Sequence, residues 1–244
     1  MFSFLKKKKI VPQNIEYLKT DIHSHLVPGI DDGSKSMEES LELLKGFEQL
    51  GYTKIITTPH IMNKAYNNTK NSILENFSKL KKATQEAHLN IDIQVAAEYY
   101  VDEGFFTLLE KGELLAIDDE YILFETSYVN RPVDLESVIY NIIAAGYKPL
   151  LAHPERYQYI KNIEEEFNAL KNQGAFFQAN LNSFVGFYGK QAQKNVEYLN
   201  DNGMIDFLGS DVHHEKHMTS LSSVARSDIY EDIISKNIIL NNTI

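Results

Sequence analysis

The segment Asp21-Ile22-His23-Ser24-His25 constrains this chain most, because it places two histidines two residues apart where a strand is predicted to end. Side chains at i and i+2 of a strand point to the same side, so both imidazoles can bind one metal ion. Later segments also carry ligand-type residues where predicted strands end. They are Thr58-Pro59-His60, Ala97-Glu98, Ala152-His153-Pro154-Glu155-Arg156 and Ser210-Asp211-Val212-His213. Together these segments predict a polynuclear metal site.

Apolar runs of strand length alternate with stretches of helical period, which predicts repeated βα units and a parallel sheet. The predicted strands are Lys19–His23, Lys54–Thr58, Ile91–Glu98, Tyr121–Ser127, Pro149–His153, Ala175–Leu181 and Ile205–Ser210. The helical patterns include Met37–Leu50, Ile73–His88, Leu135–Ala145, Glu164–Gln173 and Gln191–Asn202. Seven such units in one domain, in a chain of 244 residues, favour a closed or nearly closed (β/α) barrel over an open sheet.

Local signals mark where several of these helices begin and end. Ser36 with Glu39 three residues later predicts a capping box at the first helix. Glycines that follow a helical pattern and precede a strand predict left-handed helix ends, and these are Gly51, Gly146, Gly174 and Gly203.

The amino-acid composition excludes some kinds of catalysis and some classes of partner. The chain has no cysteine, which excludes disulfides, thiolate ligands and a cysteine nucleophile, and is compatible with a cytoplasmic location. A formal net charge of −10 argues against nucleic acid as the main partner. No apolar run approaches the ~20 residues that span a bilayer. We therefore expect a cytoplasmic globular protein.

Residues 1–16 are predicted to be an N-terminal extension, and residues 17–244 a single domain. The lysines Lys6, Lys7, Lys8 and Lys9 follow a short apolar run, which is the wrong order for a signal peptide. The simpler interpretation is a solvated tail. The alternative is weak attachment to an anionic membrane surface, worth about 1 kcal/mol per lysine.

The active sites of parallel barrels form at the carboxyl ends of the strands, and five of the eight histidines are predicted to lie there. The candidate ligands at these ends are His23, His25, His60, Glu98, Glu125, His153, Asp211 and His213. Imidazole and carboxylate without thiolate suit Mn²⁺, Fe²⁺ or Zn²⁺ in an open, catalytic site. For His88, His214 and His217 we expect ordinary structural roles instead.

Two arginines are candidates for binding an anionic substrate. Arg156 lies three residues after His153, in a loop predicted to overhang the site, where a guanidinium can bind phosphate oxygens in bidentate fashion. Arg131, which follows the fourth predicted strand, is a weaker second candidate.

These residues together resemble the PHP (polymerase and histidinol phosphatase) superfamily of metal-dependent phosphoesterases, and within it the capsule-biosynthesis branch of bacterial tyrosine-protein phosphatases. The similarity runs from about residue 17 almost to the C-terminus. One further segment that carries it is Val27-Pro28-Gly29-Ile30-Asp31-Asp32-Gly33. That segment and His153-Pro154-Glu155-Arg156-Tyr157 favour this branch over the histidinol phosphatases.

The resemblance implies a distorted (β/α)7 barrel, which is a TIM-like fold, with three metal ions and Mn²⁺ as the first choice. One ion would be held by His23, His25, Glu98 and Asp211. A second would share Glu98 and use Glu125 and His153, and a third would use Asp32, His60 and His213. The spacing alone does not exclude Asp31 as the ligand in place of Asp32. Catalytic participation is expected of Arg156, Asp211 and His213.

The implied activity is hydrolysis of phosphotyrosine monoesters by metal-bound hydroxide. The implied substrate is the tail of a bacterial tyrosine kinase that regulates capsular or exopolysaccharide synthesis. One alternative is a small-molecule phosphatase that acts on histidinol phosphate or a sugar phosphate. Another is an amidohydrolase-type barrel, although Tyr121–Ser127 lacks the lysine that such barrels usually carry on strand four. The third alternative is a non-enzymatic binding module that metal ions stabilise. The sequence identifies neither a general acid nor an oligomeric state.

Overall fold

The structure is a computed structural model that describes residues 18–132, 134–225 and 227–244, so the lysines at positions 6–9 lie outside the described residues. The strands are β1 (Thr20–Asp21), β2 (Lys54–Thr57), β3 (His60–Ile61), β4 (Asp92–Val95), β5 (Glu98–Tyr100), β6 (Tyr121–Glu125), β7 (Lys148–Ala152), β8 (Phe176–Asn180) and β9 (Phe207–Gly209). The α-helices are α1 (Met37–Gln49), α2 (Lys70–Glu86), α3 (Glu103–Lys111), α4 (Leu135–Ala144), α5 (Ile163–Asn172), α6 (Lys190–Asp201), α7 (Glu215–Ala225) and α8 (Ile229–Lys236). Short 3₁₀ helices cover Pro154–Arg156, Leu181–Val185 and Asn241–Thr243.

Every pairing between these named strands is parallel, in the orders β1-β2-β4 and β3-β5-β6-β7-β8-β9. The two sets join because β2 and β3 are one strand interrupted at Thr58-Pro59, and β4 and β5 are one strand interrupted at Ala96-Ala97. A proline cannot donate to the ladder, which accounts for the break beside Pro59. The prediction of one continuous strand over Ile91–Glu98 is therefore wrong, because the hydrogen-bonded strand stops at Val95 and resumes at Glu98.

The last strand returns to the first and closes the ring. A parallel bridge joins Ser24 to Val212, with hydrogen bonds from the Asp211 amide to the His23 carbonyl (2.8 Å) and from the His25 amide to the Val212 carbonyl (2.9 Å). The buried carboxylate of Asp21 supports this seam by accepting hydrogen bonds from Ser210. The fold is thus a distorted (β/α)7 barrel in a single domain, as the sequence predicted.

The helices α1, α2, α4, α5 and α6 match the five predicted patterns to within three residues at each boundary. α2 begins earlier than predicted because Thr69 and Ser72 form a reciprocal capping box. The box predicted at α1 is only half formed. Ser36 Oγ accepts from the Glu39 amide (3.2 Å), but the Glu39 carboxylate accepts from the Lys35 amide (2.9 Å) instead of from Ser36. The predicted left-handed glycines are confirmed, with positive φ at Gly51, Gly146, Gly174 and Gly203.

The core has two layers, set by the alternation of side chains along the strands. Ile22, Ile56, Leu123, Leu150 and Phe207 belong to the smaller cluster, which fills the ring. The larger cluster packs the outer faces of the strands against the helices. On β6 the inward residues are Tyr121, Leu123 and Glu125, so the same alternation brings a carboxylate into the ring at its carboxyl end. Of the described helices, none has the length and apolar character needed to cross a membrane.

Candidate metal centre

The structure gathers the predicted ligand residues at the carboxyl ends of the barrel strands. Four overlapping groups of side chains each bring their nitrogen and oxygen atoms within 4.8 Å of one another. The groups are His23/His25/Asp211, His23/Glu98/His153, His60/Glu98/Glu125 and His25/Asp32/His60/His213. All nine residues that the sequence nominated as metal ligands belong to at least one group.

The first part of the centre lies at the closing seam of the barrel. Nε2 of His23 and Nε2 of His25 are both 3.5 Å from Oδ1 of Asp211. The same two nitrogens lie 3.2 and 3.3 Å from Oε2 of Glu98. Because β1 and β9 are neighbours in the ring, the two histidines and the aspartate converge on one point.

Glu98 links this point to a second one. Its other oxygen, Oε1, is 3.1 Å from Nε2 of His153, and Oε2 of Glu125 is 3.8 Å from the same nitrogen. Glu98 is buried and occupies the middle of the cluster, so a single carboxylate serves both points. That is the arrangement expected of a bridging ligand.

The third part lies at the rim. Oδ1 of Asp32 is 3.5 Å from Nε2 of both His60 and His213. Asp31 takes a different part, because its Oδ2 bonds Nδ1 of His25 (2.9 Å) and accepts from the His60 amide (3.1 Å). The geometry thus favours Asp32 over Asp31 as the ligand residue.

The donor set and its spacing fit a cluster of divalent ions. Donor atoms that share an ion at about 2.1 Å lie about 3.0–3.4 Å apart in octahedral or tetrahedral geometry. The nitrogen–oxygen separations of 3.2 to 3.5 Å around Asp211 and Glu98 fall close to that range. Nδ1 of His60 is buried and has no hydrogen-bond partner within the described ranges, although it lies 3.3 Å from Glu98 Oε2. A shared cation would satisfy both atoms.

Polar side chains behind the cluster orient the candidate ligands. Gln178 Nε2 donates to Asn180 Oδ1 (2.9 Å), so Gln178 Oε1 accepts the proton of His23 Nδ1 (2.7 Å) and leaves Nε2 free to bind metal. Asn180 in turn donates to Oδ2 of Asp211 (2.8 Å). Sequence reasoning missed both residues. Their only signal is a pair of amides at i and i+2 on the otherwise apolar strand β8.

Burial and neighbouring charges shift the pKa values of several side chains in the centre. Burial alone would raise the pKa of Glu98, but His23 and His60 outweigh it and hold that pKa well below its usual range. Burial and the neighbouring carboxylates of Glu98 and Asp211 raise the pKa of Glu125 well above its usual range. Burial and the nearby Arg156 lower the pKa of His153 to about 4, so this imidazole is neutral and ready to bind metal at pH 7.

The backbone is strained at two of the candidate ligand residues. His153 has φ +34° and Asp211 has φ +50°, a region that residues other than glycine seldom adopt. Strain of this kind costs on the order of 1–3 kcal/mol and is concentrated at functional sites. At both positions it turns a side chain from the end of a strand toward the cluster.

Arg156 lies beside the cluster with its guanidinium held between two tyrosines. Its centre is 4.4 Å from the ring centroid of Tyr128 and 4.1 Å from that of Tyr188, and its Nη1 donates to Oδ2 of Asp211 (2.8 Å). Arg131 is not part of the site, because it forms surface ion pairs with Glu136 and Glu166. The suggestion of Arg131 as a second anion-binding residue is therefore wrong.

A cavity of about 290 Å³ connects Arg156 to the cluster. It is lined by Asp32, His60, Glu98, Tyr128, His153, Arg156, Tyr188, Asp211, His213, His214 and His217. His214 and His217 belong to none of the ligand groups formed by the described residues, yet both face this cavity. The sequence predicted ordinary structural roles for them, although the i, i+4 spacing of His213 and His217 is a signal that could have placed His217 near the site.

Gly33 allows the Asp31-Asp32 loop to pass close to His25. A Cβ atom at Gly33 would lie 2.2 Å from the His25 carbonyl oxygen and 2.5 Å from the His25 Cβ. We expect Gly33→Ala to lower the free energy of unfolding by about 1–3 kcal/mol and to displace His25, with loss of bound metal. Thermal unfolding and elemental analysis measure both effects.

Gly112→Ala is the control for this substitution. Gly112 has φ +66°, and a Cβ atom added there would have no neighbouring atom within 4 Å. Alanine at this position should therefore cost roughly 1 kcal/mol and leave the centre intact. Full metal content in Gly33→Ala would contradict the close approach on which the prediction depends.

A parallel seven-stranded barrel with a histidine and carboxylate cluster at its carboxyl ends defines the class of PHP-type metal-dependent hydrolases. A family model described as capsular polysaccharide synthesis, CpsB/CapC, matches residues 19–242, and the chain belongs to this family. The resemblance stated from the sequence is thereby confirmed.

Individual relatives agree with this assignment. The chain is 30% identical to the tyrosine-protein phosphatase YwqE of Bacillus subtilis over 197 residues, which are 80% of this chain and 78% of that protein. It is also 30% identical to the tyrosine-protein phosphatase CpsB of Streptococcus pneumoniae over 200 residues, covering 80% and 82%. A solved structure from the work on YwqE and CpsB, described as metal-dependent tyrosine phosphatases, superposes with a TM-score of 0.77 at 27% identity, covering 90% of this chain and 96% of that one.

Proposed function

We propose that this protein is a metal-dependent protein-tyrosine phosphatase that hydrolyses phosphotyrosine monoesters. The observation that carries the proposal is the placement of Arg156 and the ligand cluster on the walls of one cavity of about 290 Å³. A phosphoryl group needs neutralisation of its oxygens and a strong nucleophile, and this cavity offers residues for both. The names of the relatives support phosphotyrosine as the ester.

The residues that would hold the ions are those nominated from the sequence: His23, His25, Asp32, His60, Glu98, Glu125, His153, Asp211 and His213. When bound, divalent ions lower the pKa of a water ligand to about 7 and neutralise phosphoryl oxygens. We propose Mn²⁺ as the native ion, with Fe²⁺ and Zn²⁺ as alternatives, because the donors are imidazoles and carboxylates without thiolate.

The protein side chains position the ester for in-line attack. Arg156 binds non-bridging phosphoryl oxygens, and its stacking between Tyr128 and Tyr188 keeps the guanidinium aimed at the cavity. The phosphorus–oxygen bond to the tyrosine breaks as the bond to the oxygen of water forms, and the departing phenolate, whose pKa is about 10, takes up a proton. No phosphorylated enzyme is formed, because the nucleophile is water.

The substrate we propose is a phosphotyrosine-bearing protein, the tail of a bacterial tyrosine kinase that regulates capsule or exopolysaccharide synthesis. The support is the capsular polysaccharide family to which the chain belongs. A cytoplasmic location is part of this proposal, because kinases form phosphotyrosine where ATP is available.

The test compares phosphotyrosine peptides with histidinol phosphate and a sugar phosphate, using protein loaded with Mn²⁺. We expect kcat/KM to be at least about 10-fold higher for the peptides, a difference of about 1.4 kcal/mol in transition-state binding. A higher kcat/KM for either small phosphate would favour the small-molecule phosphatase instead.

Arg156→Met should lower kcat/KM on a phosphotyrosine peptide by about 100- to 1,000-fold, because it removes the charged donor for the phosphoryl oxygens. The methionine retains apolar contact with the two tyrosines, but Asp211 loses the hydrogen bond from Nη1, so we expect the free energy of unfolding to fall by about 1.5–3 kcal/mol while the barrel stays folded. Arg131→Met is the matched control, since that arginine pairs with Glu136 at the surface. Equal kcat/KM for the Arg156 variant and the wild type would remove Arg156 from the mechanism.

A further inference from the structure

His217 lines the same cavity but belongs to none of the ligand groups among the described residues. It lies in the first turn of α7 and is 9% exposed. Its ring is stacked on His214, with centroids 4.2 Å apart and an interplanar angle of 17°, and it meets Phe187 edge-on at 4.8 Å. These contacts fix the plane of the ring.

One hydrogen bond fixes the tautomer of His217. The backbone amide of His213 donates to Nδ1 of His217 at 3.0 Å. A nitrogen that accepts a hydrogen bond carries no hydrogen, so the hydrogen of this imidazole sits on Nε2. Within residues 18–132, 134–225 and 227–244, no side chain or backbone group accepts from Nε2. His217, a residue that lines the cavity, therefore carries an N–H donor that no described group uses.

The position of this donor relates it to Arg156. The ring of Tyr188 contacts the guanidinium of Arg156 at 4.1 Å, and its centroid is 6.1 Å from that of His217. Arg156 and His217 thus both lie beside Tyr188, and all three residues line the cavity. A phosphoryl group has three non-bridging oxygens, so it can accept hydrogen bonds from two protein residues at once.

We propose that Nε2–H of His217 donates a hydrogen bond to a non-bridging oxygen of the phosphate monoester, as a second protein donor beside Arg156. The inference rests on the proposed phosphatase function and deepens it by assigning a substrate-binding residue to the same cavity. His217 acts as a fixed, neutral donor, and it transfers no proton. The ligand chemistry is a phosphate dianion, and inorganic phosphate, the product, shares that chemistry.

Two substitutions distinguish the two roles that His217 can have. One role is to donate a hydrogen bond to phosphate, and the other is to hold the backbone of His213. Asparagine at position 217 can place an acceptor where Nδ1 lies and has no atom near Nε2, so His217→Asn keeps the bond to the His213 amide and removes the donor. His217→Gln keeps the donor and removes the acceptor, because the amide nitrogen of glutamine reaches the position of Nε2. His88→Asn is the matched control, since His88 is an exposed residue at the end of α2 with φ +56°, which asparagine tolerates.

The experiment measures metal content, the affinity of the Mn²⁺-loaded protein for inorganic phosphate, and kcat/KM on a phosphotyrosine peptide. For His217→Asn we expect unchanged metal content, with phosphate affinity and kcat/KM each lowered about 10- to 100-fold, as for loss of a hydrogen bond to a charged group. His217→Gln should recover part of both losses, and His88→Asn should match the wild type.

Two results would overturn the inference. One is wild-type phosphate affinity and kcat/KM in His217→Asn. The other is loss of metal from that variant, which would make His217 a support for His213 only. Failure of the phosphatase proposal looks different, because the wild-type protein would then hydrolyse no phosphotyrosine peptide with any metal. Phosphate affinity would still report on His217 in that case.

Discussion

Glu98→Gln is expected to lower kcat/KM on a phosphotyrosine peptide by at least about 1,000-fold while the barrel stays folded. Glu98 is buried at the centre of the cluster, with one oxygen near His23 and His25 and the other 3.1 Å from His153. Glutamine has the same shape but only one acceptor oxygen. Its amide hydrogens would face the cations, so the variant cannot serve two ions at once.

Elemental analysis, circular dichroism and steady-state kinetics check this prediction together. We expect a native spectrum with fewer bound ions per chain than in the wild type. Glu110→Gln is the control for the same chemical change, since Glu110 is exposed on α3 and belongs to none of the ligand groups of the described residues. An active Glu98→Gln protein with a full complement of metal would remove Glu98 from its bridging position.

Removal of metal should abolish activity and also destabilise the fold. Without cations, the carboxylates of Glu98, Glu125 and Asp211 remain buried within one cluster, and the raised pKa of Glu125 reflects its burial first and the repulsion from Glu98 and Asp211 second. An ion at 100 times its dissociation constant contributes about 2.7 kcal/mol. For a chain of this length that corresponds to a fall in Tm of roughly 5–10 °C on chelation.

Thermal unfolding with and without chelator measures this effect, and addition of Mn²⁺ should restore both Tm and activity. Asp211→Asn is a useful comparison, because a protein that already binds less metal should respond less to the chelator. If the wild-type Tm were the same after verified removal of metal, the cluster would not be a site that binds ions in the native state.

The sequence predicted most of the centre because its ligands follow local rules. His23 and His25 lie just beyond β1 and point to the same side through their i, i+2 spacing, and Glu125 follows from the alternation along β6. The strands that carry them end at the same face of the barrel, so strand order in the chain was enough to bring the candidates together. The resemblance added Asp32, which spacing alone could not separate from Asp31.

What the sequence did not predict depends on contacts between distant parts of the chain. Gln178 orients His23 across 155 positions, a pairing set by the closure of the ring. The two tyrosines around Arg156 come from loops after different strands. The interruption beside Pro59 has a local cause, but its consequence for the neighbouring strand at Ala96-Ala97 appears only when the two strands pair. The difference at Glu39 is local by contrast, because its carboxylate accepts from the Lys35 amide four residues away instead of from Ser36.

The central claim is that the nine ligand residues hold an ion cluster that makes this chain a tyrosine phosphatase. The most direct measurement is a titration of metal-free protein with Mn²⁺, in which bound metal per chain and phosphate release from a phosphotyrosine peptide are followed in the same samples. We predict no release from the metal-free protein and a plateau in rate at about three ions per chain. Phosphate release that persists without metal, or a fully loaded protein that releases none, would contradict the account.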